Sequence, residues 1–259
     1  MDNVILAFSL TLIAGLATGI GSAMVLLTKN TNKKFLCFSL ALSAGVMLYV
    51  SFVEIFYKGI DSLSEVYGDK LGNIYAAISF FGGMGLIVLI DKFIPKVEIT
   101  SENAGSNSEL ALKRMGVFTA LAIAIHNFPE GLATFVSALE DPTMGIAITV
   151  AIAIHNIPEG IAVAVPIYYS TNSRKKAFVY SLLSGLTEPI GALLGYFLLI
   201  RFIGDTAFGV IFAGVAGMMV HISIAELLPT SKEYGSQKLS VGGMVLGMAI
   251  MAISLILFK

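Results

Sequence analysis

Charge is scarce in this chain. Only 16 Lys and Arg and 17 Asp and Glu occur in 259 residues, 13% of the total, where an ordinary soluble domain carries roughly 25%. Hydrophobic residues make up 56% and mean hydropathy is +0.87. A soluble body of this length cannot be covered by so little polar surface. A cytosolic enzyme, a disordered chain and a nucleic-acid binder are thereby excluded. Tryptophan is absent, and the one cysteine is Cys37. No intrachain disulfide framework or Cys-based zinc knuckle can be built from it. Glycine, by contrast, is plentiful at 26 residues, as close packing of membrane helices favours.

An apolar stretch of about 20 residues crosses a bilayer as a helix. Eight stretches qualify, at about 4–27, 35–56, 72–91, 115–139, 143–169, 177–200, 206–229 and 239–258. The fold class is therefore an all-α membrane protein, a bundle of eight transmembrane helices forming a single domain. The first stretch has no basic flank or small-residue cleavage site before Val4 and reads as a retained span. Alternate connections hold Lys29, Lys33 and Lys34; Lys92, Lys96, Lys113 and Arg114; Arg174, Lys175 and Lys176; and Lys232 and Lys238. The opposite side has Lys58, Lys70, Arg201 and Lys259. The positive-inside rule assigns the richer side to the cytoplasm and both termini to the outside, which needs an even number of spans. The longest connection, 92–114, reads as a flexible polar linker around Ser101–Ser108. The pairs Gly15/Gly19, Gly191/Gly195 and Gly243/Gly247 read as close-packing faces.

The informative feature is a repeat. Residues 122–131 are AIAIHNFPEG and residues 151–160 are AIAIHNIPEG, nine of ten positions matching at an offset of 29. Both copies fall in mid-span, in spans 4 and 5, which run antiparallel. Two polar segments facing each other at the membrane centre form one shared site, as at the repeat interfaces of secondary transporters. Within a copy, His126 and Glu130 lie about 40° apart on a helix and share a face. Asn127 lies about 100° round from His126, so Glu130 sits angularly between them. His155, Asn156 and Glu159 repeat the arrangement. Pro129 and Pro158 lack an N–H and free the carbonyls of Ile125 and Ile154 as further acceptors. Span 6 adds Glu188, in Ser184-Gly185-Leu186-Thr187-Glu188-Pro189.

All three histidines, His126, His155 and His221, lie in spans, as do Glu54, Glu130, Glu159, Glu188 and Glu226. No Lys or Arg is central in any span to pair with them. A charge at the bilayer centre costs ~2.5–3.5 kcal/mol on insertion scales, so these acids must bind protons or a cation. Imidazole with carboxylate and amide oxygen suits borderline divalents such as Zn²⁺, Fe²⁺, Co²⁺ and Mn²⁺, whereas Mg²⁺ or Ca²⁺ would want oxygen alone. For Glu54, His221 and Glu226, pathway and structural roles stay equally open. An intramembrane metalloprotease is disfavoured, because H-N-x-P-E is not the H-E-x-x-H of such sites. A proton- or sodium-coupled exporter is not excluded by the residues.

At HNFPEG (126–131), HNIPEG (155–160) and SGLTEP (184–189), and in its eight-span, both-termini-out layout, the chain resembles the ZIP (Zrt-/Irt-like) metal transporters. The resemblance covers essentially the whole chain and is nearest to the bacterial type. It implies a binuclear centre. His126, Glu130, His155 and Glu159 would hold one metal; Asn127, Glu130, Asn156, Glu159 and Glu188 would hold its neighbour, with two glutamates shared. It further implies uptake into the cytoplasm of mainly zinc, with iron, cobalt and manganese also accepted, through the inner (plasma) membrane. The protein would not be an enzyme and would carry no cofactor, Zn²⁺ and Fe²⁺ being substrates. Its partners would be divalent metal ions and the lipid bilayer, with a homodimer left open and no nucleic acid. Many relatives carry a His-rich stretch where this chain has 92–114, which has no histidine, so metal sensing by that loop is not expected.

Overall fold

The computed structural model describes residues 2–26, 32–93, 104–140, 142–199 and 205–257. No strand occurs among the described residues. That suits a bilayer, where each segment must satisfy its own backbone N–H and C=O groups. In chain order the helices are α1 (Asp2–Leu26), α2 (Lys33–Val50), α3 (Phe56–Tyr67), α4 (Asp69–Phe93), α5 (Ala104–Glu140), α6 (Pro142–Thr171), α7 (Arg174–Gly185), α8 (Thr187–Leu194), α9 (Asp205–Ile222), α10 (Leu228–Tyr234) and α11 (Gln237–Leu257). Single π-helical turns, Ser51–Ile55 and Ser223–Leu227, carry α2 into α3 and α9 into α10 without a break.

Seven stretches among the described residues are long and apolar enough to cross a membrane: Asn3–Val25, Lys33–Tyr67, Asp69–Lys92, Ile148–Thr171, Arg174–Phe197, Thr206–Tyr234 and Gln237–Leu257. The remaining expected span, 115–139, lies inside the 37-residue α5, whose His126, Asn127, Pro129 and Glu130 dilute its apolarity. The molecule is thus an all-α bundle of membrane-spanning helices.

Some boundaries differ from the sequence expectation. The second rod does not stop near 56 but runs to Tyr67, where Gly68, at φ 77°, ends it; glycine adopts that left-handed conformation without strain. The linker expected over 92–114 is helical at both ends, since α4 reaches Phe93 and α5 starts at Ala104. Residues 109–115, Glu-Leu-Ala-Leu-Lys-Arg-Met, are all strong helix formers, and Leu112 and Met115 are buried. Lys29, Lys96, Arg201 and Lys259 of the charge count, and residues 94–103 of the linker, lie outside the described residues.

The helices sort into two bundles by what they pack against. In one, α1, α5, α6, α7 and α8 pack on one another; in the other, α2, α3, α4, α9, α10 and α11 do. The bundles meet where α2 and α11 touch α6 and where α9 touches α5. Much of the meeting surface is apolar: Leu40, Met47, Phe118, Ala162, Val165, Met219 and Ile222 belong to one buried cluster. The glycine pairs pack as expected, Gly15 on the backbone of Gly185 and Gly247 on the carbonyl of Leu42.

Candidate metal centre

The two HNxPEG copies lie on α5 and α6, which pack against each other as antiparallel neighbours. Both helices continue through their prolines, Pro129 and Pro158. The motif glycines set how closely other backbones approach. A Cβ on Gly131 would run into the backbone of Glu188, and one on Gly160 into the carbonyl of Thr18. Two residues without side chains thereby draw α8 and α1 onto the motif.

His126 Nε2 and Glu159 Oε1 are hydrogen-bonded at 2.9 Å. His155 Nε2 lies 3.1 Å from the same oxygen and 3.7 Å from Glu130 Oε2. His126, His155 and Glu159 can each offer one ligand atom with all three within 4.8 Å of one another. On the other side, Asn156 Nδ2 donates to Glu188 Oε1. Glu188 is also in electrostatic reach of Glu130 and Glu159. His126, Glu130, His155 and Glu159 thus come together, and Asn156 meets Glu188 on the amide side, whereas the Asn127 side chain is placed by the carbonyl of Ser184. His126, Asn127, His155, Asn156, Glu159 and Glu188 are buried, and Glu130 is nearly so, its side chain 13% exposed.

The amides are held by helices that supply no side-chain ligand of their own here. Asn127 Nδ2 donates to the carbonyl of Ser184, and Asn156 Nδ2 to the carbonyl of Ala14. Both Oδ1 atoms are left buried without a partner. Four of the other five residues also keep one buried atom with no hydrogen-bond partner in the protein: His126 Nδ1, Glu130 Oε2, Glu159 Oε2 and Glu188 Oε2. Leaving a buried polar group unpaired costs ~1–3 kcal/mol, more when it is charged. Such a concentration is what a cation would relieve. A cavity of about 20 Å³ beside His126 and Glu130, closed by Ile55, Pro129, Phe212 and Val215, is large enough for one small species.

Glu188 owes its place to a helix break. α7 ends at Gly185 and α8 restarts at Thr187; Pro189 has no N–H to give the carbonyl four residues back. The Thr187 hydroxyl donates to Ser184 O at 2.6 Å. Glu188 thus stands in the first turn of α8, where a helix favours negative charge.

Of the other intramembrane ionisable groups, the Glu54–Lys58 pair is in electrostatic reach of Glu130 and His155 through Lys58, and the rest form a separate group. Glu54 pairs with Lys58 at 2.8 Å, so it does have a basic partner, four residues on. Asp91 of α4 is ion-paired with Arg114 of α5, and Glu226 lines a separate cavity with them. His221 is in electrostatic reach of Asp91. One signal for these acids was present in the sequence and passes unnoticed there. Met47-x₃-Ser51-x₂-Glu54 recurs as Met219-x₃-Ser223-x₂-Glu226. Both serines hydrogen-bond back to the methionine carbonyl, at 2.6 and 2.8 Å, and both glutamates sit in the π-turns. A π-turn inserts one residue into a helix and often marks a functional position.

Comparison with known proteins points the same way. Residues 98–255 match the family described as ZIP Zinc transporter. The chain is 57% identical to the zinc transporter ZupT of Chlorobaculum parvum, with 99% of each chain covered. It is 58% identical to that of Oceanobacillus iheyensis, again over 99% of each. With that of Clostridium perfringens it shares 54% identity, over 100% of this chain and 98% of the relative.

Proposed function

This chain belongs to the ZIP family of metal transporters, and from that premise we propose that it carries divalent metal, chiefly zinc, across a membrane into the cytoplasm. The observation that carries the proposal is the set of six buried, unpartnered acceptor atoms contributed by His126, Asn127, Glu130, Asn156, Glu159 and Glu188, with His155 Nε2 beside them, 3.1 Å from Glu159. His126, His155 and Glu159, with Glu130 beside them, form the imidazole subsite. Asn127, Asn156 and Glu188 form the amide subsite, and the glutamates between serve both. The metal is cargo. Its ligands must give up protons to receive it, so a proton shared between His126 Nε2 and Glu159 is displaced on binding. The imidazole subsite suits zinc, and the harder oxygen-rich subsite widens the range toward iron, cobalt and manganese.

The eight rods act as one transporting unit, with both termini outside the inner membrane, as the Lys/Arg distribution favours. An inside-negative potential on the order of 100 mV favours inward movement of M²⁺ by about 4.6 kcal/mol, so uptake needs no coupled ion. The test is zinc influx into proteoliposomes holding a fluorescent zinc indicator, under an imposed potential of either sign. Influx that rises with inside-negative potential is expected; no zinc flux at either sign refutes the proposal, and outward flux against the gradient assigns an exporter.

A further inference from the structure

A second cavity, of about 310 Å³, lies at the end of the bundle marked by Lys92, Lys113 and Arg114. It is lined by Asp91 of α4, Leu112, Arg114 and Met115 of α5, Glu226 of the second π-turn, and Glu233 of α10, among others. One buried face of α5 runs from its wall to the metal centre. Leu112, Met115, Thr119, Ala122 and His126 are spaced three and four residues apart, hence on one side of the helix. All five are buried, and Leu112 and Met115 form the cavity wall. The stretch is about 21 Å long at 1.5 Å per residue. The Thr119 hydroxyl, midway, has no hydrogen-bond partner.

Arg114 and Asp91 stand at the cavity end of this buried face. They belong to different bundles, and α4 and α5 do not otherwise pack as a helix pair. Their ion pair is therefore a strap between two bodies at a point where backbone packing supplies little. The pair is partly shielded, its side chains 19% and 29% exposed. The guanidinium is permanently charged, and its buried Nε has no partner, so it has donor capacity beyond Asp91. Three carboxyl groups, Asp91, Glu226 and Glu233, share the cavity with it. Any divalent cation reaching these carboxyls competes with Arg114 for them.

We propose that Arg114 is a tethered cation that latches this buried face shut: paired with Asp91 it ties α5 to α4, and a metal ion leaving the centre opens the face by taking over the carboxylate. The proposal rests on the transport route proposed above, but its test does not require flux. Thr119→Cys, made in a Cys37→Ser background, reports opening of this face through its rate of alkylation by a water-soluble maleimide in detergent, without metal. Adding Arg114→Gln or Asp91→Asn is expected to raise that rate at least fivefold. The swapped pair, Asp91→Arg with Arg114→Asp, is expected to return it to the parent value. Unchanged labelling in the single variants, or a swapped pair that labels as fast as they do, overturns the latch. Gel filtration checks each variant, and if one single variant is not monodisperse the other decides alone. Zinc influx through the parent protein is scored separately, so failure of the transport proposal is distinguishable from failure of the latch.

Discussion

His126 and Glu159 are 33 positions apart and on antiparallel helices, yet Nε2 of the one is 2.9 Å from Oε1 of the other. The contact is reciprocal in kind. His155, the repeat counterpart of His126, approaches Glu130, the counterpart of Glu159, at 3.7 Å. Each copy of the motif thus completes the other, and neither forms a site alone. The two halves differ in closeness because Glu159 is buried between both imidazoles, whereas Glu130 borders the small cavity beside Ile55 and Phe212.

Removing either shared carboxylate should therefore disable both subsites. Glu159→Ala and Glu130→Ala are expected to lower zinc influx in proteoliposomes at least tenfold, with retained monodispersity on gel filtration. Glu159→Ala should be the more severe, since its oxygen contacts both histidines. Normal flux in both variants would rule out a shared site.

The amide flank should govern preference more than capacity. Asn127→Ala combined with Asn156→Ala removes two oxygen acceptors and leaves the three ligands within 4.8 Å of one another in place. Zinc influx is expected to persist while the ratio of iron to zinc influx falls severalfold, measured with both metals in competition. An unchanged ratio would argue against two chemically distinct subsites.

Acidification should weaken uptake. A metal that displaces protons from imidazole and carboxylate loses about tenfold in apparent affinity per pH unit for each proton displaced. Zinc titration of the purified protein by calorimetry, in two buffers of different ionisation enthalpy, counts the protons released. At least one per metal is expected, with affinity falling as pH falls through the imidazole range; identical enthalpies in the two buffers would exclude displacement.

The sequence made the centre legible because its ligands sit in a duplicated string within apolar helices, where each ionisable group demands a reason. His126, Glu130 and their counterparts could be put on one face from helical periodicity alone. The pairing of the amides was not accessible that way: Ser184 and Ala14 contribute backbone carbonyls, and a carbonyl leaves no trace in residue type. The continuation of the second rod to Tyr67 was equally hidden, because the π-turn at Ser51–Ile55 shifts helical phase without any proline or glycine to announce it. Asp91 stands beside Lys92 in the sequence, with nothing nearby to indicate a more distant partner. Its partner, Arg114, comes from a helix 23 residues further on, and a contact between two rods that hardly pack together cannot be inferred from either segment.

The carbonyls of Ala14 and Ser184 act as a jig. By gripping the NH₂ ends of Asn156 and Asn127 they dictate which way the oxygens face, so the polarity of half the centre is decided by α1 and α7, which contribute no side chain to it. A rotation of α1 by one residue would leave the Asn156 amide held by Glu188 alone. On the proposed function, metal handling is consequently heritable through positions that bear no candidate ligand at all. Variants in the plain apolar stretch around Ala14 could retune it while every ligand stays the same.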